Sequence, residues 1–345
     1  MDKLRRLAIL PIALLVLAAC QADTGDGIDS LDDLAGQTVC AGEATTYLFW
    51  IEGTLNLPEE AGDIADVPEG MVATTLPTDI DCAEAWRSGR TDDFQGWLTA
   101  LPTAQGAIDE GYPVKLIGEP VFYEPLAVAF DASVEDNDSL VAAVDQIIAD
   151  MHADGTLTEL SEKWYDGDDL TRQEGEAAPS SEPEAEAPCD SSDNDGHLAE
   201  VCEAGVLIVS TDPAYPPQSF LNEATGDYEG FDIDVAREIA TRLGVDVEFT
   251  DPTFDAVVAG SWGGRWDVSV GSVTVTEDRR AVLDFTQPYY FTPAQMAVFD
   301  PTVESAPSEA ATEGAGEAAS EAATEAATES AAESASESAG ASSSP

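Results

Sequence analysis

Arg279 is the residue whose type and setting most strongly indicate binding chemistry. It closes the segment Ser272-Val-Thr-Val-Thr-Glu-Asp-Arg279. A guanidinium group can hold a carboxylate with two parallel hydrogen bonds, which suits an acid-bearing solute. A single arginine in such a segment can also be a surface residue at the start of a helix, and the residue types by themselves leave both interpretations open.

Catalytic histidine and metal chemistry are poorly supported. The chain has two histidines, His152 and His197, and His197 falls in a stretch typical of a linker. No Ser-His-Asp or Cys-His arrangement is therefore credible. The cysteine spacing matches no zinc pattern. The sequence indicates no catalytic residue, no metal and no cofactor.

The N-terminus predicts export and a lipid anchor. Positive residues at 3, 5 and 6 precede an apolar run from Leu7 to Leu17, which is too short to span a bilayer comfortably. Small residues before Cys20 fit a signal peptidase site, and a cysteine directly after it is typical of a bacterial lipoprotein. An ordinary secretory signal with a chance cysteine is the alternative. We predict attachment through Cys20 to the extracytoplasmic face of the membrane, at the cell surface or in the periplasm.

The four other cysteines agree with export. An even number outside the cytoplasm indicates disulfides. We favour the pairs Cys40–Cys82 and Cys189–Cys202, because each pair falls within one segment of the chain. A metal site is the alternative.

The charge balance excludes two classes of partner. There are 69 acidic and 13 basic residues, giving a net charge of -56. Such a chain is repelled by nucleic acid and by anionic lipid. A protein that works in high salt could have this composition, but composition does not establish it.

Low-complexity stretches separate two structured blocks. Residues 173–197 are rich in Glu, Pro, Ser and Ala, and residues 301–345 repeat Ala, Glu, Ser and Thr. Unpaired like charges without an apolar face favour disorder, so we predict a flexible linker and a disordered acidic tail. Between them, strand-like runs such as Val206–Ser210 alternate with amphipathic helical stripes such as Phe231–Leu243, which predicts an α/β fold with mostly parallel strands.

The second block resembles the N-terminal lobe of the family 3 extracellular solute-binding proteins, which serve ABC importers of polar amino acids and related solutes. Several phrases occur in the family's order, and no single phrase would suffice. They are Gly205-Val-Leu-Ile-Val-Ser-Thr-Asp-Pro-Ala-Tyr-Pro-Pro217, Gly230-Phe-Asp-Ile-Asp-Val-Ala-Arg-Glu-Ile-Ala240, Gly271-Ser-Val-Thr-Val-Thr-Glu-Asp-Arg279 and Asp284-Phe-Thr-Gln-Pro-Tyr-Tyr290.

The first block resembles the remainder of the same family. Leu31–Val39 is similar to the entry into the second lobe, Glu43–Tyr47 to the ligand-binding turn and Glu119–Phe130 to the return crossing. The resemblance implies a two-lobed, type II periplasmic-binding-protein-like α/β fold whose lobes are written in reversed order, a circular permutation. Two half-proteins that each pair with another chain are the alternative; one copy of each half favours a monomer.

The resemblance also implies an organisation along the chain. The predicted segments are a signal peptide at 1–19, a tether at 20–29, lobe II at 30–125, the C-terminal helices of lobe I at 126–172, the linker at 173–197, the N-terminal part of lobe I at 198–300, and the tail at 301–345.

The resemblance implies a ligand site in the cleft between the lobes. Arg279 would hold a carboxylate, with hydroxyl and backbone contacts from Ser272 and Thr274. Thr45 and Thr46 would approach from the other lobe. Tyr215 and Phe254 would wall the side-chain pocket, and either could instead be a core residue. Asp212 would lie next to the pocket, where it could accept a hydrogen bond from the ligand, and Trp97 could contact an amine of the ligand.

One departure from the family's pattern limits what can be said of the ligand. Members that bind α-amino acids carry an aspartate a few residues after the Ser-Gly-Arg phrase, where it pairs with the ligand's ammonium. Here that position falls on Trp97 or near Thr99 and Ala100, and no acid stands there. Trp97 could stabilise an amine through its ring. Recognition of an α-ammonium therefore stays open.

The predicted function is extracytoplasmic binding of a small polar solute, an amino acid or related carboxylate, for delivery to an ABC permease, without catalysis. One alternative is a dehydratase-like enzyme on the same fold, for which Glu43 is the only acid in the predicted cleft that could act. The other is a ligand-sensing lobe for a membrane receptor.

Overall fold

The fold is α/β, as predicted. Its strands are less uniformly parallel than expected, because one long sheet combines four parallel and three antiparallel strand pairs. The computed structural model describes residues 27–172, 187–192 and 194–303. The predicted signal peptide, Cys20, most of the linker and the acidic tail lie outside the described residues. In the described ranges, no helix is both long and apolar enough to cross a membrane.

Eleven strands and eight α-helices make up the described part of the chain. The strands are β1 (Thr38–Gly42), β2 (Val72–Leu76), β3 (Gly96–Ala100), β4 (Val114–Asp131), β5 (Val206–Ser210), β6 (Ala214–Tyr215), β7 (Ser219–Asn222), β8 (Asp227–Glu229), β9 (Asp246–Thr250), β10 (Val268–Thr274) and β11 (Leu283–Phe299). The helices are α1 (Thr46–Ile51), α2 (Ile80–Arg87), α3 (Leu101–Asp109), α4 (Asp138–Asp154), α5 (Thr156–Trp164), α6 (Gly196–Ala204), α7 (Phe231–Leu243) and α8 (Phe254–Val258).

Two long strands join two halves of the molecule. The sheet order is β2-β1-β3-β11-β4-β10-β5-β9, and β6, β7 and β8 form a separate small sheet. Strands β4 and β11 are antiparallel partners along nearly their whole length. One end of β11 pairs with β3, and the other end of β4 pairs with β10. The first half therefore contains β1 to β3 and the second contains β5, β9 and β10, with both crossing strands shared.

Each half has its own apolar core. In the second half, α4, α6 and α7 pack on β4, β5 and β10 around buried Phe130, Ile148 and Phe231. Helix α7 turns an apolar stripe inward and ends at Gly244, whose positive φ of 87° closes the helix. The first half has two clusters, one around Trp50 and Leu98 and another around the buried disulfide.

Both predicted disulfides are present. Cys40 in β1 is bonded to Cys82 in α2, which fixes that helix to the sheet. Cys189 is bonded to Cys202 in α6. Each disulfide lies within one half of the molecule, so neither of them joins the two halves.

Helix α6 begins earlier than the predicted end of the linker. His197 lies in its first turn, where Nδ1 is 2.9 Å from Oδ1 of Asn137 and Nε2 is 3.1 Å from Oδ1 of Asp267. The histidine therefore contacts the start of α4 and the residue before β10. The prediction that His197 lies in the linker is therefore wrong: it lies in α6 and contacts the folded second half.

Candidate functional site

A cavity lies where the two halves meet beside the crossing strands. Its lining comes from the carboxyl ends of β1, β2 and β10, from the segments that follow these strands and strands β5 and β9, and from β4. The lining residues are Gly42, Glu43, Thr45, Thr46, Tyr47, Pro77, Thr78, Asp79, Glu124, Asp212, Tyr215, Phe254, Gly271, Ser272, Thr274 and Arg279. Carboxyl ends of parallel strands are the usual place for ligands in α/β sheets.

The turn after β1 presents backbone and hydroxyl groups to the cavity. Ala44 has a left-handed φ of 59°, a conformation that glycine adopts more easily than alanine does. Thr45 caps α1: its hydroxyl accepts from N of Leu48 at 3.3 Å and donates to O of Gly42 at 2.9 Å. The turn therefore directs the carbonyl of Ala44 toward the opposite half.

Arg279 connects the two halves. Its Nη1 donates to O of Thr274 at 2.9 Å, and its Nη2 donates to O of Ala44 across the cleft at 2.9 Å. The residue is 5% exposed, and its Nε–H is buried without a partner. Burial lowers the pKa of the guanidinium to about 10, so it stays charged at neutral pH. Of five N–H groups, three remain for a ligand, which suits a carboxylate.

Glu124 in β4 lies at the floor of the cavity and was not predicted. One carboxylate oxygen accepts hydrogen bonds from the hydroxyls of Thr46 and Thr274, the latter at 2.7 Å, and the other accepts from Tyr47 OH at 2.6 Å. Burial raises the pKa of this carboxyl, and the three hydroxyls and the nearby Arg279 oppose the rise. Thr46 and Thr274 are thus engaged with Glu124 from opposite halves.

Asp79 was also not predicted. It lies at the start of α2, is 6% exposed and lines the cavity. Its Oδ1 accepts from N of Gly42 at 3.0 Å, and its Oδ2 accepts from Thr99 Oγ1 at 2.8 Å. Burial raises the pKa of this carboxyl to about 7, with smaller contributions from the charges of Glu124 and Asp212.

A buried polar network holds Ser272 in place. The bulge in β10 gives Ser272 a positive φ of 54°. Its N–H donates to Tyr289 OH at 3.2 Å, and its hydroxyl donates to Oδ2 of Asp232 at 2.7 Å. Asp232 also accepts from Tyr289 OH at 2.8 Å, and burial raises its pKa to about 7. Ser272 lines the cavity, but its two donors face this network.

Asp212 and Tyr215 approach from the second half. Asp212 Oδ1 accepts from N of Ala214 at 2.8 Å, and burial raises the pKa of its carboxyl. Tyr215 OH lies 3.0 Å from Tyr47 OH across the cleft. The ring of Phe254 lies over Arg279, with 5.2 Å between its centroid and Cζ.

Eight of the nine predicted ligand residues line this one cavity. Their common location is observed, and their roles in binding stay predictions. Trp97 does not line it: its indole is 0% exposed in the apolar cluster with Cys40, Cys82 and Trp86. The prediction for Trp97 is corrected because β3 is covered by α2 and α3, which enclose this side chain. Of the lining residues that the sequence reasoning missed, Asp79, Glu124 and Tyr47 are the ones with ionisable side chains. In the described ranges, no cluster of His, Cys, Asp and Glu is arranged to hold a metal ion.

Comparison with known proteins gives one family. Residues 207–306 match the model for bacterial extracellular solute-binding proteins, family 3. The L-cystine-binding protein TcyJ of Escherichia coli K12 is 32% identical over 105 residues, which cover 30% of this chain and 39% of that protein. The L-cystine-binding protein TcyA of Bacillus subtilis is 36% identical over 96 residues, covering 28% and 35%. The chain thus spans less than two fifths of the length of these relatives.

A solved structure of an ancestral cyclohexadienyl dehydratase is 40% identical over a segment that covers 25% of this chain and 35% of that one, with a TM-score of 0.23. The segment matched by the family model contains Asp212, Tyr215, Phe254, Gly271, Ser272, Thr274 and Arg279 of the cavity lining. The residues that the first half contributes to the cavity lie outside the family-model match.

Proposed function

We propose that this chain, whose residues 207–306 match the model for bacterial extracellular solute-binding proteins, family 3, binds a small polar solute with a carboxylate group, an amino acid or a related acid. It does so outside the cytoplasm, and it delivers the solute to an ABC importer. The observation that carries the proposal is Arg279, which is buried in the cavity, bonded to both halves and still has an unpartnered Nε–H.

The chemistry of Arg279 favours an anionic group. A buried charge without a full set of hydrogen bonds is costly, and a carboxylate offers two parallel acceptors to a guanidinium fork. Glu124, the carboxylate whose charge acts on Arg279, is already held by three hydroxyls and forms no ion pair with Arg279 within the described residues. A solute carboxylate would complete the shell of Arg279 and at the same time join the two halves.

The reversed order of the lobes is part of the proposal. Its support is the position of the two places where the described chain enters and leaves the fold. Asp29 Oδ1 lies 2.6 Å from Nζ of Lys115 in β4, and N of Asp300 donates to O of Pro113 at 2.8 Å. The two ends therefore meet beside the start of β4, where a chain of the opposite order would run through. Anchoring through Cys20 and a monomeric state belong to the proposal as well.

The test combines a ligand screen with one substitution. A thermal-shift screen of amino acids, their derivatives and small carboxylates should find a stabilising solute, since a ligand at 100 times its dissociation constant adds about 2.7 kcal/mol. Calorimetry should then give one site per monomer. Arg279→Ala should weaken binding by about 100-fold or more, because it removes two charged hydrogen bonds. Unchanged affinity would remove the carboxylate proposal.

Arg280→Ala is the matched control. Arg280 adjoins Arg279 but is 52% exposed in its side chain and pairs only weakly with Glu277, at 3.5 Å. Its replacement removes the same charge without touching the cavity. Equal losses from both substitutions would indicate a general charge effect and count against a specific site.

A second candidate function is acid-catalysed elimination of water from a carboxylate-bearing solute. The observation that favours it is Glu124, a carboxyl with a raised pKa beside Arg279 in the same cavity. A general acid needs this combination of burial and reach. Incubation of the purified protein with prephenate-like acids, followed by mass spectrometry for the joint loss of water and carbon dioxide, tests it. Product that disappears in Glu124→Gln would favour the enzyme over the binding protein.

A further inference from the structure

Asp79 has a position in the cavity that its role in the fold does not explain. It is the residue at the start of α2, where an aspartate commonly caps the helix with its own side chain. Here the side chain makes no such bond. It turns instead toward the cavity, where N of Gly42 and the hydroxyl of Thr99 hold its two oxygens.

The surroundings of Asp79 form a cradle for a charged carboxylate. A Cβ on Gly42 would lie 2.9 Å from Oδ1 of Asp79, so the absence of a side chain there permits the approach. Thr99 lies in β3, the strand that follows the Ser-Gly-Arg phrase. Each carboxylate oxygen uses one acceptor position and has capacity for a second. The cradle therefore fixes Asp79 and leaves it able to accept from a solute.

The charge of Asp79 has no partner cation in the part of the chain that the structure describes. None of the ion pairs there includes Asp79, and the charged groups that interact with it are two further acids, Glu124 and Asp212. Buried like charges oppose one another, so a cationic group between them would relieve the repulsion. An independent feature marks the same cavity as a ligand site: the buried, unpartnered Nε–H of Arg279.

We propose that Asp79 is a specificity-determining residue of the site and receives a cationic nitrogen of the solute, an ammonium or guanidinium group. This inference rests on the proposed function, in which Arg279 holds the carboxylate. Arg279 and Asp79 then fix opposite charges of one solute. Asp79 supplies from the start of α2 the acid that is missing from β3, where Trp97 is enclosed in the core.

Matched solutes test the proposal directly. L-lysine, L-norleucine and hexanoate share a carbon chain and one carboxylate and differ in their cationic nitrogens; L-glutamine and glutaramate form a second set. Calorimetry should show that wild-type protein prefers amine-bearing members of these sets by at least tenfold. Asp79→Asn should weaken the binding of those members by about 10- to 150-fold, the range for a hydrogen bond to a charged group, and change hexanoate or glutaramate by less than about threefold.

Asp92→Asn is the control, because Asp92 is an exposed acid in the same half. It should leave all five affinities unchanged. The amide in Asp79→Asn can still accept from Gly42, and near-ultraviolet circular dichroism checks that the fold is kept. The pH profile is a second readout: wild-type affinity for the amine-bearing solutes should fall about tenfold per unit below pH 7, and this slope should be smaller in Asp79→Asn.

The outcomes separate this proposal from the one on which it rests. Wild-type protein that binds hexanoate or glutaramate as tightly as the amine-bearing compounds, or that binds none of the amine-bearing compounds, overturns the role of Asp79. An unchanged preference in Asp79→Asn does so too. If a plain carboxylate still binds and Arg279→Ala abolishes it, the carboxylate site stands although the inference has failed.

Discussion

The buried carboxyl of Asp232 should make the stability of this protein depend on pH in an unusual direction. Its native pKa is about 7, against an ordinary value of 3.8, chiefly because of burial. The folded state therefore holds a proton that the unfolded state releases. The stabilising contribution is complete below about pH 4, is lost as the pH rises to about 7, and is constant above that.

The difference between the two pKa values sets the magnitude. A separation of about three units corresponds to about 4 kcal/mol of unfolding free energy in total, of which about 3 kcal/mol falls between pH 5 and pH 8.5. Asp232→Asn removes this titration. Ser272 and Tyr289, whose hydroxyls now donate to the carboxylate, can rotate to serve an amide. The variant should therefore gain about 3 kcal/mol over the wild type when the pH is raised from 5 to 8.5.

Urea unfolding of both proteins at pH 5 and pH 8.5, followed by circular dichroism, gives the four unfolding free energies. The prediction concerns how the difference between variant and wild type changes from pH 5 to pH 8.5. Asp79 is present in both proteins, so its own titration cancels. The same substitution at exposed Asp255 controls for the change in net charge. A stability difference that is the same at both pH values would refute the reasoning, and would mean that the hydroxyls fully offset the burial of Asp232.

Two further substitutions test how the first half holds the site. Replacing Cys40 and Cys82 with serine should lower the free energy of unfolding by about 4 kcal/mol, from the loop of 42 residues that the bond closes, as measured by denaturant titration under oxidising conditions. Gly42→Ala should weaken binding of the screened solute by tenfold or more, because its Cβ would displace Asp79. Gly106→Ala in α3, where a Cβ meets nothing within 4 Å, should leave binding unchanged.

The sequence predicts the second half of the cavity well because its residues follow strand ends in ordered phrases. Ser272, Thr274 and Arg279 all lie on β10 or just after it, so locating that strand locates them. Asp212 and Phe254 likewise follow β5 and β9. Side chains in such places are carried to the same edge of a parallel sheet, whatever the details of packing.

Trp97 shows where this reasoning fails. The alignment that put Trp97 near the site placed it correctly in a strand, since Trp97 lies in β3. Such an alignment does not predict which face of the strand is covered by helices. Because α2 and α3 pack over this side chain, the indole is enclosed with Trp86 and Phe94. A large apolar side chain gains most where it is buried, and that gain decided its place.

The two acids were missed for different reasons. Asp79 stands between a strand and a helix, where its most common role is a helix cap, so the sequence offers no sign that it faces a cleft. Glu124 did carry a signal: it is a lone acid within the otherwise apolar run from Val121 to Phe130. A buried acid in a strand requires several donors, and those donors, Thr46 and Thr274, come from distant parts of the chain.

The crossing strands explain how the proposed reversal of the order of the segments would leave the site intact. Pairing with β11 carries β4 through Gly118 and Pro120 as one long strand. Each crossing strand thus belongs to both halves, and the cleft is fixed by their antiparallel pairing. A cut between them changes which ends are connected but breaks none of those hydrogen bonds. The sheet fixes the positions of Arg279 and Asp79 on the two sides of the cavity. Their relative positions should therefore not depend on where the chain begins.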